Sequence, residues 1–312
     1  MFRSMINTIK ISVIIPVYKV PLDYLRYCLS SLSKQTMRDC EFIVVSDGAP
    51  DAENSVCEEY VVKDSRFKFF KREHAGVSAS RNYGLDQASG EFIAFLDSDD
   101  WFSECALQLF YDLIKNNQAE IGIANVQKVW NNDKRNALFN FYEHVEKISL
   151  KNIPNYAVWG YIFKKDIMVN NQIRFQEDLN ISEDRVFLFD YFTHCKKIAF
   201  ANDVIYFYRQ HEASICNTRQ THEHAIQQLK AAKYLYEILK KTLEYSQRDI
   251  RHLERVLTRM GMVAYINSGI TKEGFCILRE FFLKNICSST FIFYYCWYRS
   301  RISALIGNIL HL

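Results

Sequence analysis

The segment GEFIAFLDSDDW, Gly90–Trp101, carries an apolar run, Phe92–Leu96, straight into Asp97-Ser98-Asp99-Asp100. A buried strand that stops there delivers carboxylates to the rim of a sheet. Side chains alternate along an extended segment, so Asp97 and Asp99 share a side, where like charges repel unless something positive lies between them. A hard divalent cation answers that need. A lone Asp-x-Asp is equally a polar turn after a strand, so its meaning rests on the chain around it.

Upstream, Ile11–Val17 is a continuous, mostly β-branched run that includes Pro16, the pattern of a strand buried on both faces of a parallel sheet. Tyr24, Leu25, Cys28, Leu29 and Leu32 recur at helical spacing behind the start signals Pro21 and Asp23. Glu41–Val45 predicts a second strand, which runs into the acidic turn Ser46-Asp47-Gly48-Ala49-Pro50-Asp51. Ala52–Lys63 reads as a helix and Phe67–Phe70 as a third strand. Ser78–Ala88 is a further helix, with Ser78 as its cap behind Gly76. Strands alternating with helices up to Phe92–Leu96 define an α/β sheet whose crossovers are right-handed. Ligands bind such sheets at the carboxyl ends of the strands, where this chain places Pro16-Val17-Tyr18, Asp47-Gly48 and Asp97-Ser98-Asp99.

Downstream, Glu104–Asn116 predicts a helix, Ile121–Val129 a strand and Asn131–Arg135 a polar loop. Ile173–Asn180 is a loop leading to Glu183-Asp184, at the start of an apolar helix whose dipole favours an anion there. Val204–Tyr208 reads as an edge strand feeding Arg209-Gln210-His211-Glu212-Ala213-Ser214. From His222 to about Ser268 the chain is amphipathic and mostly helical.

The 312 residues suit one large domain with a smaller one appended. A net charge of +3, with no dense Lys/Arg run, gives no ground for nucleic-acid binding. Nine cysteines without a CxxC pair read as free thiols in a reducing cytosol. The N-terminal residues lack the apolar core of a signal peptide, and no segment reaches the roughly 18–20 apolar residues that span a bilayer. The expectation is a cytoplasmic protein. The aromatic, basic stretch 281–312 is read either as peripheral contact with the inner face of the cell membrane or as packing on protein.

Five pieces stand in one order: ISVIIPVY, the turn SDGAPD, the block HAGVSASRNYGLDQASGEFIAFLDSDDWF, the pair Glu183-Asp184, and YRQHEAS at Tyr208–Ser214. Together they resemble the family 2 glycosyltransferases of the GT-A fold, of the bacterial surface-polysaccharide type, along roughly the first 215 residues. The resemblance implies a Rossmann-like, mostly parallel sheet with flanking helices. It divides the chain into 1–215, the nucleotide-sugar-binding and catalytic domain, and 216–312, a helical C-terminal region for membrane-surface or oligomer contact. It also implies transfer of a hexosyl or N-acetylhexosaminyl group, with inversion, from a nucleotide-diphospho-sugar of the UDP type. The acceptor would be a hydroxyl of a saccharide, free or lipid-linked, in cell-surface polysaccharide synthesis.

Carried over by residue, the resemblance makes Asp47 the partner of the base, with Val17 packed nearby, and has Arg81 and Asn82 fix the nucleotide. Asp97 faces the ribose, and Ser98 joins it in the donor site. Asp99 holds Mn²⁺ or Mg²⁺, with His211 as a further metal ligand. Asp184 is the catalytic base, while Arg209, His211 and Ser214 lie on a loop closing over the diphosphate.

Taken singly, several of these residues have plainer readings. Asp47 suits an Asx turn, Asp184 a helix cap, and Arg81 a surface salt bridge, while Asp100 is left to cap the turn or the helix after it. Glu183 competes for the base role, and Trp159 reads as core or as acceptor wall. Ser46 and Ala49 depart from the family's Asp and Ser, and Tyr161 stands where Lys is frequent. No Gln-x-x-Arg-Trp occurs, which favours one sugar per encounter over processive synthesis. The competing functions are a sugar-nucleotide-binding partner subunit with decayed chemistry and a haloacid-dehalogenase-type phosphatase, whose nucleophile also sits in an Asp-x-Asp.

Overall fold

The computed structural model describes residues 9–130, 138–139, 157–210 and 222–241. The chain divides into two compact units, Met1–Thr218 and Arg219–Leu312. In the first, β1 (Ile11–Val17), α1 (Leu22–Ser33), β2 (Cys40–Asp47), α2 (Asp51–Lys63), β3 (Phe67–Arg72), α3 (Val77–Gln87) and β4 (Phe92–Phe95) follow one another as the hydrophobic pattern requires. Then come β5 (Trp101–Phe102), α4 (Ala106–Asn117), β6 (Ile121–Trp130), β7 (Leu138–Phe139), β8 (Tyr161–Lys164), α5 (Lys165–Asn170), α6 (Glu183–His194) and β9 (Ile198–Gln210). The second unit contributes α7 (His222–Lys241). The part of the long helix expected beyond Lys241, and the stretch 281–312, lie outside the described residues.

Among the described residues nine strands form one sheet in the order β3-β2-β1-β4-β8-β6-β9-β5, with β7 beside β6. The first four strands are parallel, in the register Val17↔Ser46 and Ile14↔Phe95. This α/β sheet with flanking helices is the GT-A-like fold expected from the sequence. Its second half is mixed: β8 runs antiparallel to β4 and β6, whereas β6 and β9 are parallel. The expected edge strand is longer than its apolar pattern and is interior, because β5 pairs with its far side.

β1 and β2 are buried along their whole lengths, which is why they read as unbroken apolar runs without alternation. Among their few polar residues is Glu41, a buried carboxylate near the amino end of β2. Its Oε1 accepts hydrogen bonds from the Ser12 hydroxyl (2.6 Å) and from the N–H and hydroxyl of Ser89 (2.7 Å each), while Lys68 Nζ meets Oε2 at 2.6 Å. Burial opposes its charge, but the bonds from Lys68, Ser12 and Ser89 outweigh that and hold its pKa below the usual value. Gly90 closes the same corner. Its N–H donates to Ser12 Oγ at 2.8 Å, and a Cβ there would lie 2.6 Å from the Ser12 backbone nitrogen.

Gly90→Ala, which must push backbone apart, lowers stability by about 1–3 kcal/mol in urea unfolding. Glu41 contributes stability above the unfolded carboxylate pKa that is lost as pH falls through its lower folded value. Glu41→Gln therefore weakens the protein near neutrality and flattens its loss of stability on acidification, which is read by unfolding at neutral and acid pH.

Candidate active site

The carboxyl ends of β1, β2 and β4 lie side by side because the strands are parallel and in register, so Val17, Asp47 and Asp97 reach one rim. Val17 is fully buried there. Asp47 is buried too, and its carboxylate organises the next connection. Oδ1 accepts the Ala75 N–H and Oδ2 the Gly76 N–H, both at 2.9 Å, while His74 Nδ1 lies 2.8 Å from Oδ2. His74 stacks on Tyr18 from the end of β1, with ring centroids 4.1 Å apart. Ser46 Oγ accepts the Ala49 N–H at 3.3 Å and closes the turn.

These bonds set the start of α3. Gly76 stands there at φ +94°, in the region that favours glycine. The expected cap, Ser78, makes no side-chain cap bond; its hydroxyl donates instead to Leu179 O at 3.2 Å. Asn82, one turn on, is committed to the segment after α5. Its amide nitrogen donates to Phe175 O (2.9 Å) and Glu177 Oε1 (3.0 Å), and its oxygen accepts the Phe175 N–H (2.9 Å). These contacts make Asn82 a brace for residues 175–177, a job its sequence position did not announce.

Arg81, between them, is the centre of the site. Its side chain is only 4% exposed, which rules out the surface salt bridge that a helical arginine more often makes. Nη2 donates to Asp97 Oδ1 at 2.8 Å, and Nη1 donates to Asp184 Oδ1 at 2.7 Å and to Glu183 Oε1 at 3.3 Å. The guanidinium lies 5.2 Å from the Phe175 ring centroid, and that ring stacks on Phe187 of α6 at 4.1 Å. One cation thus joins the turn after β4 to the first turn of α6, and its own bond to Asp184 spans 103 residues of sequence.

Asp184 is held at both oxygens, because Oδ2 accepts the Val158 N–H at 3.2 Å. It does not cap α6; the residue before the helix is Ser182, at φ +66° with no side-chain cap bond. Burial pushes the Asp184 pKa up, Arg81 pulls it down, and Glu183 and Asp97 raise it again, so the result stays well above the usual carboxylate range. Burial is the largest cause, and the sharing of one buried guanidinium among three carboxylates adds to it.

The acidic turn divides its residues sharply. Asp100 is fully buried; its Oδ2 accepts the Tyr206 hydroxyl at 2.6 Å and its Oδ1 the Arg209 N–H at 2.7 Å. Rather than capping α4, it ties the turn to β9. Burial and the neighbouring charges of Asp99 and Asp97 raise its pKa far above the usual value. Asp97, Ser98 and Asp99 are partly exposed. Arg209, expected on a loop over the diphosphate, stands near the end of β9, where its Nε donates to Asp99 O at 2.8 Å. Its guanidinium sits among the rings of Tyr24 (4.1 Å), Trp101 (4.6 Å) and Tyr27 (5.6 Å). Trp159 is buried and stacks on Tyr206 and Tyr208, as a core residue does. His211 and Ser214 lie outside the described residues. Sequence reasoning did not find Tyr206, Tyr24, Tyr27 or Val158, since nothing in their spacing marks them.

Residues 12–175, more than half of the chain, match the model of Glycosyl transferase family 2. The chain belongs to that family. Among curated proteins it is similar to glycosyltransferase GlyA of Streptococcus pneumoniae serotype 4, 32% identical over 66% of this chain; the match spans 31% of GlyA's own length. Among solved structures it resembles S. aureus TarS 1-349 in complex with UDP-GlcNAc, with a TM-score of 0.62 at 20% identity, covering 89% of this chain and 93% of that one. It also resembles the mannosyltransferase PcManGT from Pyrobaculum calidifontis in complex with GDP-Man and Mn²⁺, with a TM-score of 0.52 at 12% identity, covering 87% and 79%. The family assignment displaces the phosphatase reading, in keeping with an acidic turn that follows the fourth strand of the sheet and not the first.

Asp100→Ala removes the acceptor of the buried Tyr206 hydroxyl, at about 1–3 kcal/mol, together with the bond from the part-buried Arg209 N–H. The expected outcome is a lower melting temperature, because the turn that carries Asp97 and Asp99 loses its anchor, and calorimetry of unfolding reads it.

Proposed function

We propose that this protein is an inverting, metal-dependent glycosyltransferase that moves a sugar from a nucleotide-diphospho-sugar, of the UDP class, to a hydroxyl of a saccharide acceptor in cell-surface polysaccharide or oligosaccharide synthesis. The observation that carries the reading is the joining of the acidic turn to Asp184 through Arg81 at the carboxyl rim of a parallel sheet. A donor site and a candidate base are thereby held together. The resemblance to TarS, solved with UDP-GlcNAc, supports the donor class.

In this reading Asp47 and Val17 border the base and Asp97, with Ser98, faces the ribose. Arg209, and His211 and Ser214 beyond it, serve the diphosphate side. Arg81 and Asn82 act on the nucleotide through the turn and segment they brace. Asp184 accepts the acceptor's proton: its Oδ1 is turned to Arg81 and its Oδ2 to the Val158 N–H, and each carboxylate oxygen keeps a second lone pair. A single base opposite the leaving group gives inversion, and such help contributes about 10²–10⁴-fold.

The donor set fits a hard cation. Three carboxylates crowd four positions, Asp100 is sealed in its own bonds, and Asp99 offers hard oxygens at the partly exposed part of the turn. Among the described residues no group of three or more His, Cys, Asp or Glu is arranged to hold a metal by itself. Mg²⁺ commonly takes one or two carboxylates together with substrate phosphates, which suits Asp99 with the donor diphosphate and His211 as a further ligand. When bound, Mn²⁺ or Mg²⁺ would offset negative charge on the departing diphosphate. Among the described residues no helix is long and apolar enough to cross a membrane.

Asp184→Asn keeps UDP binding and lowers transfer by about 10²–10⁴-fold. Purified protein, Mn²⁺ and a panel of UDP- and GDP-sugars, read by calorimetry and by product formation, supply the measurement. Should no donor bind or turn over, and Asp99→Ala change nothing, the protein is a partner subunit or something else, and the enzymatic reading is wrong.

A further inference from the structure

Arg81 was expected to touch the nucleotide. Its geometry gives it different work, and that work rests on Asp184 being the base as proposed above. The guanidinium is used from both terminal nitrogens, one toward Asp97 and the other toward Asp184 and Glu183. Its Nε has no hydrogen-bond partner among the described residues. The group is therefore placed by its carboxylate partners and by the Phe175 ring beneath it, which Asn82 holds through both directions of backbone bonding.

The geometry points to Arg81 as a positioning residue that couples the donor side of the site to the base: it aims Asp184 and shares one positive charge between Asp184 and Asp97. The groups facing Asp184 are Arg81 from α3, Asp97 from the acidic turn, Glu183 from its own helix, and the Val158 N–H from the segment before β8. Of these only Arg81 is a cation. Removing it leaves Asp184 buried beside two carboxylates, which favours the protonated, inactive carboxyl. Removing the charge of Asp97 leaves the guanidinium more fully to Asp184 and favours the ionised carboxylate. A donor whose ribose hydroxyls engage Asp97 competes with Arg81 for that carboxylate, so donor occupancy returns the cation to the base. Lysine cannot substitute fully, because one ammonium does not span Asp97 and Asp184 as the planar fork does.

The coupling predicts opposite displacements in two variants. With a donor from the panel that supports transfer, the rate rises with pH as Asp184 ionises. Arg81→Met moves that rise to higher pH by about one unit or more and lowers kcat by about tenfold or more at neutral pH. Arg81→Lys restores part of the displacement. Asp97→Asn moves the rise to lower pH. UDP affinity and melting temperature are measured alongside, and if Arg81→Met does not fold, Arg81→Lys and Asp97→Asn carry the comparison. A pH profile that stays in place in every folded variant, with the whole loss in donor KM or in thermal stability, overturns the coupling and returns Arg81 to a nucleotide or structural role. Absence of transfer by the unaltered protein with every donor would instead remove the glycosyltransferase reading itself.

Discussion

The site depends on the contact of one buried guanidinium with three carboxylates. Arg81 reaches Asp97 from α3 and reaches Asp184 and Glu183 at the start of α6. Breaking a buried pair by removing one partner typically costs about 3–5 kcal/mol, because a charge is left uncompensated. Here the cost works both ways. The three carboxylates outnumber the cation, so the cluster is held together and held under electrostatic stress at once. Burial and that excess of carboxylates together hold the Asp184 pKa above the usual carboxylate range.

The surroundings of Arg81 explain why it stays in place. Asp47 receives the N–H groups of Ala75 and Gly76 and so fixes where α3 begins. Ser78 and Asn82 then fasten that helix to Leu179 and to Phe175 and Glu177. The side chains of Asp47, Ser78 and Asn82 are buried and hydrogen-bonded, as a low-dielectric site demands. The same economy governs the acidic turn. Asp100 gives up any outward role to bind Tyr206 and Arg209, and Arg209 in turn holds the Asp99 carbonyl from within a ring of aromatics. Asp97 and Asp99 are thereby presented at the rim by the bonds made behind them.

The sheet separates two kinds of polar chemistry. At the amino ends of its first strands Glu41 gathers Ser12, Ser89 and Lys68. At the carboxyl ends stands the Arg81 cluster, with Asp97 partly exposed. Between them lies an unbroken apolar interior, made of the fully buried strands β1, β2 and β4.

The sequence by itself determined the alternation of strands and helices up to Phe95, since unbroken apolar runs and helical spacing are local properties. The same holds for the convergence of Val17, Asp47 and Asp97 on one rim, because parallel strands joined by right-handed crossovers leave no other arrangement. The motifs also announced the family, and with it the GT-A-like fold. What the tertiary structure alone decided are the partners. Arg81 and Asp184 are 103 residues apart, and Asp100 and Arg209 109 apart, and no periodicity reports on contacts across such distances. For that reason Asp100 reads as a cap but anchors β9, Ser78 reads as a cap but holds Leu179, and Asn82 reads as a ligand contact but braces Phe175. A side chain's residue type states what it is able to bond; only the packing of distant segments, which decides what is buried beside it, settles which bond it makes.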